Sequence, residues 1–429
     1  MGLVISFAMS KHRIIVDDAK NALLQMEENS FDALLSDPPY HLTPRNSKGD
    51  VGFMNSAWDG GQVAFDQELW KLVFSRLKPG GSLLAFGGRR TFHRMMCAME
   101  DAGFWCMDVL AWVFSQAKPV SVNISKEMDR RAGAEREVVG RYQPPGMRNE
   151  WKLKNAQDDR SVDIFSSSRN NLDVTIPATD EAKRWDGYGT SLKPCWEPII
   201  WVVKPWEGSY VENALMHDVA GLNIDGIRLP TDEDLRGGSG GMFSHERDLK
   251  MYPGKGTYRP NRKGRWPGDL ILDDVAGRMM DMQKNGASRF YYCAKVSRAE
   301  REAGVESLHE KELYWSSGDK YPGSFQSRGT KKSANNHHPT LKPLRLTTHL
   351  ATMILPPERE SPRRILVPFS GAGSEMIGSL LAGWDEVVGI ENGGGEPSVA
   401  DEYVRISEER ISYWTSSSER SSELFDNLS

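Results

Sequence analysis

The sequence predicts an α/β protein on a doubly wound, mostly parallel sheet that carries a large insert. Short apolar runs alternate with helix-like segments from Arg13 to Phe114. That rhythm disappears between about Gln116 and Asn336, where Gly, Pro, Arg and Trp are frequent. It returns from His338 as helix, strand, glycine turn, helix and strand. Such alternation suits a parallel sheet, because each return to the same edge needs a crossover, usually a helix.

In the first segment RIIV (13–16), FDALLSD (31–37), GSLLAFGG (81–88) and DVLAWVF (108–114) read as strands. AKNALLQME (19–27) and QELWKLVFSRLKPGG (67–81) space apolar residues three and four apart, and the second is stopped by Pro79-Gly80-Gly81. Two islands inside the middle stretch, EPIIWVVKP (197–205) and GDLILDD (268–274), also read as strands. In the last segment a helix is expected over 343–355, a strand over 363–369, a glycine turn at SGAGSE, a helix over 376–383, a strand over 386–391 and a helical run over 402–414. The predicted domains are a first half over 1–115, an insert over 116–336, a second half over 337–415, and a Ser-rich, disordered tail over 416–429.

Composition narrows the class. With 39% hydrophobic and 26% charged residues among 429, and no run near the roughly 18 apolar residues of a membrane span, a membrane bundle is excluded. The first eleven residues have no leader pattern, so a cytoplasmic location is expected. Four cysteines without a C-x-x-C pair exclude a disulfide scaffold and a thiolate zinc site. The net charge of −5 leaves nucleic acid open, because a binding surface is a local property.

Three motifs carry chemistry. Asp37-Pro38-Pro39-Tyr40 follows an apolar strand, and two prolines can continue neither a ladder nor a helix. They hold a carboxylate and an aromatic ring rigidly over the ligand edge of the sheet. That set suits transfer to an exocyclic amine on a heteroaromatic ring: Asp37 and the Pro38 carbonyl each accept an amine hydrogen, and Tyr40 stacks on the base. Alone, the same residues would also make an ordinary Pro-Pro turn.

The second motif is the turn Phe369-Ser370-Gly371-Ala372-Gly373 between a strand and a helix, where glycines let backbone N–H groups approach a ligand. Glu391 ends the next strand, 18 residues after Gly373, where an acid can accept both ribose hydroxyls. A generic tight turn with an unrelated acid fits equally well. The third motif places His338, Thr340 and Lys342 just before a helix, which suits a carboxylate ligand or, more plainly, a polar helix cap. His337-His338 has no carboxylate or cysteine at ligand spacing, and no metal is expected. A basic run, Lys250 to Arg265, holds six cations and no acid with tyrosines interleaved; Lys255, Arg259, Arg262, Lys263 and Arg265 suit DNA phosphates, or form a solvated loop. Trp58-Asp59 either lines a base pocket or anchors its own loop.

Together FDALLSDPPY, HHPTLKP, VPFSGAG and GIE resemble motifs IV, X and I of the amino-group DNA methyltransferases, in the permuted order of the β class. GRWPGDLILD, SRFYYCAKVSRAERE and LKPCWEPIIWVVKP further resemble the insert of phage and prophage site-specific adenine methyltransferases. The resemblance implies a circularly permuted, Rossmann-like methyltransferase sheet with a target-recognition insert, S-adenosylmethionine as cofactor, and double-stranded DNA as substrate. It also implies DNA methylation of the restriction-modification kind. By the same resemblance Phe369, Ser370, Gly371 and Gly373 surround the methionine part, Glu391 holds the ribose, and His338, Thr340 and Lys342 lie near the carboxylate. Asp18, in the Asp17-Asp18 pair where the family has Gly-Asp, would meet the cofactor's adenine amine. Asp37, Pro38, Pro39 and Tyr40 would be catalytic, and the Asp in that motif points to adenine N6 rather than cytosine N4. Cytosine-N4 transfer, or a non-catalytic DNA-binding regulator on the same fold, are the alternatives. The target base would have to leave the duplex stack.

Overall fold

The computed structural model describes residues 11–40, 62–114, 121–141, 173–230, 264–283, 288, 292–294, 298–312, 333–338 and 340–416. The chain divides into two units: Met1–Phe114 with Glu197–Leu308 and His338–Ser429, and Ser115–Trp196 with His309–His337.

In chain order the strands are β1 (Lys11–Val16), β2 (Phe31–Ser36), β3 (Leu77–Phe86), β4 (Trp105–Val113), β5 (Val138–Arg141), β6 (Asp173–Thr175), β7 (Trp196–Val203), β8 (Leu270–Asp273), β9 (Tyr292–Ala294), β10 (Lys311–Glu312), β11 (Ser333–Ala334), β12 (Arg364–Pro368) and β13 (Glu386–Glu391). The helices are α1 (Ala19–Leu24), α2 (Gln67–Arg76), α3 (Phe92–Asp101), α4 (Ile124–Ala132), α5 (Asp180–Arg184), α6 (Tyr210–His217), α7 (Asp274–Gln283), α8 (Arg298–Glu302), α9 (Leu344–Met353), α10 (Ser374–Ala382) and α11 (Pro397–Thr415).

The first unit is built on one sheet in the order β1-β13-β12-β2-β3-β7-β4-β8-β9. Pairing is parallel from β1 through β13, β12 and β2 to β3, and antiparallel between β3 and β7. The chain's last strands therefore sit between its first two, which is the permutation the motif order implies. Strand residues alternate between two apolar clusters. Ala33, Leu35, Leu84, Ile365 and Val367 face one, while Leu34, Leu83, Ala85, Leu366 and Val388 face the other. On the first face lie Leu346 and Leu350 of α9 and Met376, Ile377 and Leu380 of α10. On the second lie Leu23 of α1, Leu69, Trp70 and Val73 of α2, and Met95 and Met99 of α3. The helix after β2 and the helix after β12 thus cover opposite faces, so the gap between those neighbouring strands is a switch point, where ligands bind in open α/β sheets.

The structure divides the stretch expected as one insert. Residues 197–308 belong to the first unit and lend the sheet β7, β8 and β9, because EPIIWVV and LILD are apolar enough for a buried sheet. The predicted helix over 67–81 ends at Arg76, and Pro79-Gly80-Gly81 fall inside β3, where a register shift between Phe31 and Ala33 absorbs them. Helix α3 was not foreseen. In the second unit, β5 pairs with β6, β10 with β11, and α4 and α5 are tied by the buried carboxylate of Asp129, which accepts from Thr179, Ala178 and Arg136. No helix among the described residues is long and apolar enough to cross a membrane, and no group of three or more His, Cys, Asp or Glu there is placed to hold a metal ion.

Candidate active site

The site forms where β2 and β12 end side by side. The Ser36 hydroxyl donates to the Pro368 carbonyl at 2.9 Å, which pins the two strand ends together. Beyond Ser36, Pro38 and Pro39 have no N–H to offer a ladder, so the chain turns off the sheet edge. The Tyr40 carbonyl at the end of that turn accepts from the Thr91 hydroxyl at 3.0 Å.

Beyond β12 the backbone is strained. Phe369 lies at φ +59, a left-handed conformation that costs a non-glycine residue about 1–3 kcal/mol and clusters at functional sites. Gly371 (φ +50) and Gly373 (φ +78) follow, and a Cβ on Gly371 would come within 2.6 Å of His338 Nε2. Glu391 ties this turn to the loop after β13: its two carboxylate oxygens accept from the Gly371 and Gly393 N–H groups, each at 2.7 Å. Burial raises its pKa against those hydrogen bonds. The His338 ring stands edge-on to Tyr403 with centroids 4.5 Å apart.

These segments line one open crevice at the strand ends. Asp37 and Pro39 line it from β2, Phe369, Ser370, Gly371 and Glu375 from the glycine turn, Glu391 from β13, and His338, Thr340 and Lys342 from the segment before α9. Of the catalytic turn, Pro38 and Tyr40 are not among the lining residues, and of the residues expected at the cofactor Gly373 and Asp18 are not. Gly373 is glycine for another reason: a Cβ there would come within 2.2 Å of Ser407 Oγ on α11, so a larger residue would break packing before it touched a ligand. Asp18 is exposed and caps α1 by accepting from the Lys20 N–H. It too lies off the crevice lining.

Lys342 lines the crevice, but its ammonium is already engaged. Only 6% of its side chain is exposed, and its ammonium donates to Asp37 Oδ2 at 2.7 Å and pairs with Glu197 Oε1 at 3.1 Å. Burial works against its charge, but the carboxylates of Asp37 and Glu197 outweigh burial and raise its pKa well above the usual lysine value. Tyr40 donates its hydroxyl to the same Glu197 oxygen at 3.0 Å. Burial, then the Glu197 charge, raises the phenol's pKa. Burial and the Asp37 charge likewise raise Glu197, with Lys342 pulling the other way. Sequence reasoning missed Glu197. Its one visible signal was a lone acid opening an otherwise apolar strand.

The other oxygen of Asp37, Oδ1, is buried without a hydrogen-bond partner among the described residues. So is Ser370 Oγ on the glycine turn. Buried polar atoms are rarely left unpaired, so an orphan on a crevice wall is a candidate contact for a ligand. Glu375, 5% exposed, adds a carboxyl to the wall, and burial together with the Asp37 charge pushes its pKa up to about 7. The crevice is thus acidic around one lysine, which suits a ligand carrying positive charge.

The basic run expected to hold DNA falls largely outside the described residues: Lys255, Arg259, Arg262 and Lys263 all do, as do Trp58 and Asp59. Arg265 is described, and its backbone pairs with Leu229 in an isolated bridge. Nothing places its side chain at the crevice.

Fold and site together define a doubly wound α/β protein whose glycine turn and Asp-Pro-Pro-Tyr turn share one switch-point crevice. The chain belongs to the DNA methylase family of N6 and N4 enzymes, whose sequence model matches residues 31–391. It is similar to the type II methyltransferase M.HindIII of Haemophilus influenzae, at 23% identity over 47% of this chain and 62% of that protein. It is similar also to M.HpaI of Haemophilus parainfluenzae, at 28% identity over 24% of this chain and 32% of that one. The matches thus span less than two thirds of either relative. Among solved structures, the PvuII DNA methyltransferase (cytosine-N4-specific) aligns over 98% of this chain and 93% of its own, at 12% identity and a TM-score of 0.43.

Proposed function

We propose that the protein is an S-adenosylmethionine-dependent DNA methyltransferase that acts on adenine N6 in double-stranded DNA. The observation that carries this reading is the division of labour on Asp37: Lys342 occupies one oxygen, and the other is buried, unpartnered and on the crevice wall. An amine conjugated to a purine ring is a poor nucleophile until its hydrogens are held. Asp37 Oδ1 and the Pro38 carbonyl accept those hydrogens, and Tyr40, its hydroxyl fixed on Glu197, presents its ring to the base.

When bound, the cofactor supplies an electrophilic methyl group on a sulfonium sulfur. Gly371, lacking a Cβ, together with Ser370 and Phe369 would hold its methionine part, His338 and Thr340 would stand near its carboxylate, and Glu391 would accept from the ribose. Asp37 or water would take the proton that the amine gives up on gaining the methyl group, the cofactor's sulfur keeping the electron pair of the bond it loses. No covalent enzyme intermediate is needed. We assign recognition of the DNA sequence to the second unit and the stretch over 231–263.

Asp rather than Ser before Pro-Pro favours adenine over cytosine. Incubation with duplex DNA and S-adenosylmethionine, followed by nucleoside mass spectrometry, should yield N6-methyladenine. Only N4-methylcytosine would replace the base assignment, and no methylated base at all would leave a DNA-binding regulator on this fold.

A further inference from the structure

We infer that Arg89 and Arg90 hold the DNA phosphates that flank the extruded base, an inference that rests on the methyl-transfer reading above. A base stacked on Tyr40 stays bonded to its own sugar, so its two flanking phosphates must come within one nucleotide's length of that ring. Two negative charges therefore arrive beside the Asp37–Tyr40 turn whatever the DNA sequence, and cations fixed there would meet them.

The loop Gly87–Thr91 is built at that place. β2 and β3 run parallel with Ser36 opposite Ala85, so the residues after each strand leave the same edge together. The loop is fastened to the catalytic turn, since the Thr91 hydroxyl donates to the Tyr40 carbonyl at 3.0 Å. Gly88 packs so closely that a Cβ on it would lie 2.9 Å from the Tyr40 ring. It is also closed on itself, because the Thr91 and Phe92 N–H groups both donate to the Gly88 carbonyl, at 2.8 and 2.7 Å. The backbone that carries these charges is therefore held at a fixed position relative to Tyr40.

Its charge is all of one sign. From Gly87 to Met99 the chain carries Arg89, Arg90, His93 and Arg94 and no acid. Arg94 lies over the Phe65 ring at 5.1 Å. Arg89 and Arg90 make no hydrogen bond or ion pair with any described residue. Four other arginines of this unit are paired, Arg228 with Asp225, Arg359 with Asp32, Arg363 with Asp385 and Arg364 with Glu386. Behind the pair, α3 begins at Phe92, and the hydroxyl of its N-cap residue Thr91 is turned to Tyr40 and makes no capping bond. The positive end of the helix dipole adds to the field of the two guanidiniums. Arginine suits the partner, since its planar fork matches phosphate oxygens in pairs.

The test uses the full chain and its Arg89→Gln, Arg90→Gln double variant. Affinity for a synthetic duplex is measured against salt concentration. Each phosphate contact contributes a slope of about −0.9 in log–log form, so the variant's line should flatten by about two contacts' worth, with S-adenosylmethionine affinity and thermal midpoint unchanged. A second duplex replaces the two phosphates flanking the target adenine, located by sequencing methylated DNA, with uncharged methylphosphonates. Wild type should lose affinity on that duplex, and the variant should lose no more. Superimposable salt lines, or a variant that keeps the full methylphosphonate penalty, would overturn the inference while leaving methyl transfer standing. Wild type that methylates no base would instead sink the reading on which it rests, and the salt slopes would still report whether the arginines meet phosphate.

Discussion

Asp32 and Asp37 stand five residues apart on one stretch of chain, the first near the start of β2 and the second just past its end, and their surroundings are opposites. Asp32 is 2% exposed and fully used: Lys78 donates to one oxygen at 2.7 Å, while Arg359 at 2.5 Å and the Arg364 N–H at 2.7 Å share the other. Asp37 has a single ammonium on one oxygen and nothing on the other. The first carboxylate locks β2 to β3 and β12 at the closed edge of the sheet. The second is held through one oxygen only, and under the proposed function the other is the acceptor for a substrate amine. A carboxylate buried away from the crevice with donors on both oxygens belongs to the fold, and one with an oxygen left open at the crevice is a candidate for chemistry.

Exchanging the two losses would break this contrast. Asp37→Asn keeps the size and one acceptor but replaces the carboxylate, and methyl transfer should fall by about 10²–10⁴-fold, the range of a positioned proton acceptor. Its thermal midpoint should fall less than that of Asp32→Ala, because Lys342 keeps Glu197 as a counter-charge. Transfer at near the wild-type rate, followed with labelled methyl groups, would remove Asp37 from the site. Asp32→Ala should do the reverse. It leaves Lys78 and Arg359 without their shared counter-charge, which costs about 3–5 kcal/mol for a broken buried pair, while activity per folded molecule persists at low temperature. Chemical denaturation measures this, and a loss below about 1 kcal/mol would show that the cluster is not structural.

Glu375 sharpens the contrast by pH. Its folded pKa, about 7, lies above that of an ordinary glutamic acid, chiefly through burial and then Asp37, with Lys342 and Arg410 opposing. A raised carboxyl contributes stability that is complete below the unfolded pKa and is lost as pH rises through the folded one. Glu375→Gln mimics the protonated form. Its thermal advantage over wild type, without cofactor, should be small at pH 5 and widen toward pH 8, to at most about 3 kcal/mol. A gap that stays constant across that range would mean that Glu375 does not titrate there.

What was legible in the sequence was what local chemistry dictates. Two prolines after an apolar strand force a turn wherever they occur, and a glycine turn between strand and helix marks a ligand edge, so Asp37, Gly371 and Glu391 were found from their immediate neighbours. The residues that escaped depend on distant partners. Gly373 is answered by Ser407, Lys342 by Asp37 at a separation of 305 residues, and Tyr40 by Glu197 at 157. Lys342 was aimed at the cofactor because its chemistry allows that, and nothing near it in the chain announces two carboxylates beside it. The antiparallel strand that delivers Glu197 lies in a stretch whose composition resembles an insert, although its apolar run belongs to the sheet.

Glu197 therefore provides the finest test, because it touches Asp37 only through Lys342. Its Oε1 accepts from both the Tyr40 hydroxyl and the Lys342 ammonium, so it sets the ring's orientation and shares the lysine with Asp37. Glu197→Gln keeps an acceptor for Tyr40 and removes the negative charge, leaving Lys342 with Asp37 as its sole close carboxylate. A buried hydrogen bond to a charged group is worth about 1.5–3 kcal/mol, so kcat should fall about ten- to a hundredfold while the KM for S-adenosylmethionine stays near its wild-type value. Tyr40→Phe deletes the hydroxyl and leaves the stacking face, and its loss should be smaller. If the two residues act through one hydrogen bond, the double variant should lose less than the sum of the single losses. Additive losses would show that Glu197 and Tyr40 act independently, and an unchanged kcat in Glu197→Gln would confine the carboxylate to the fold, as with Asp32.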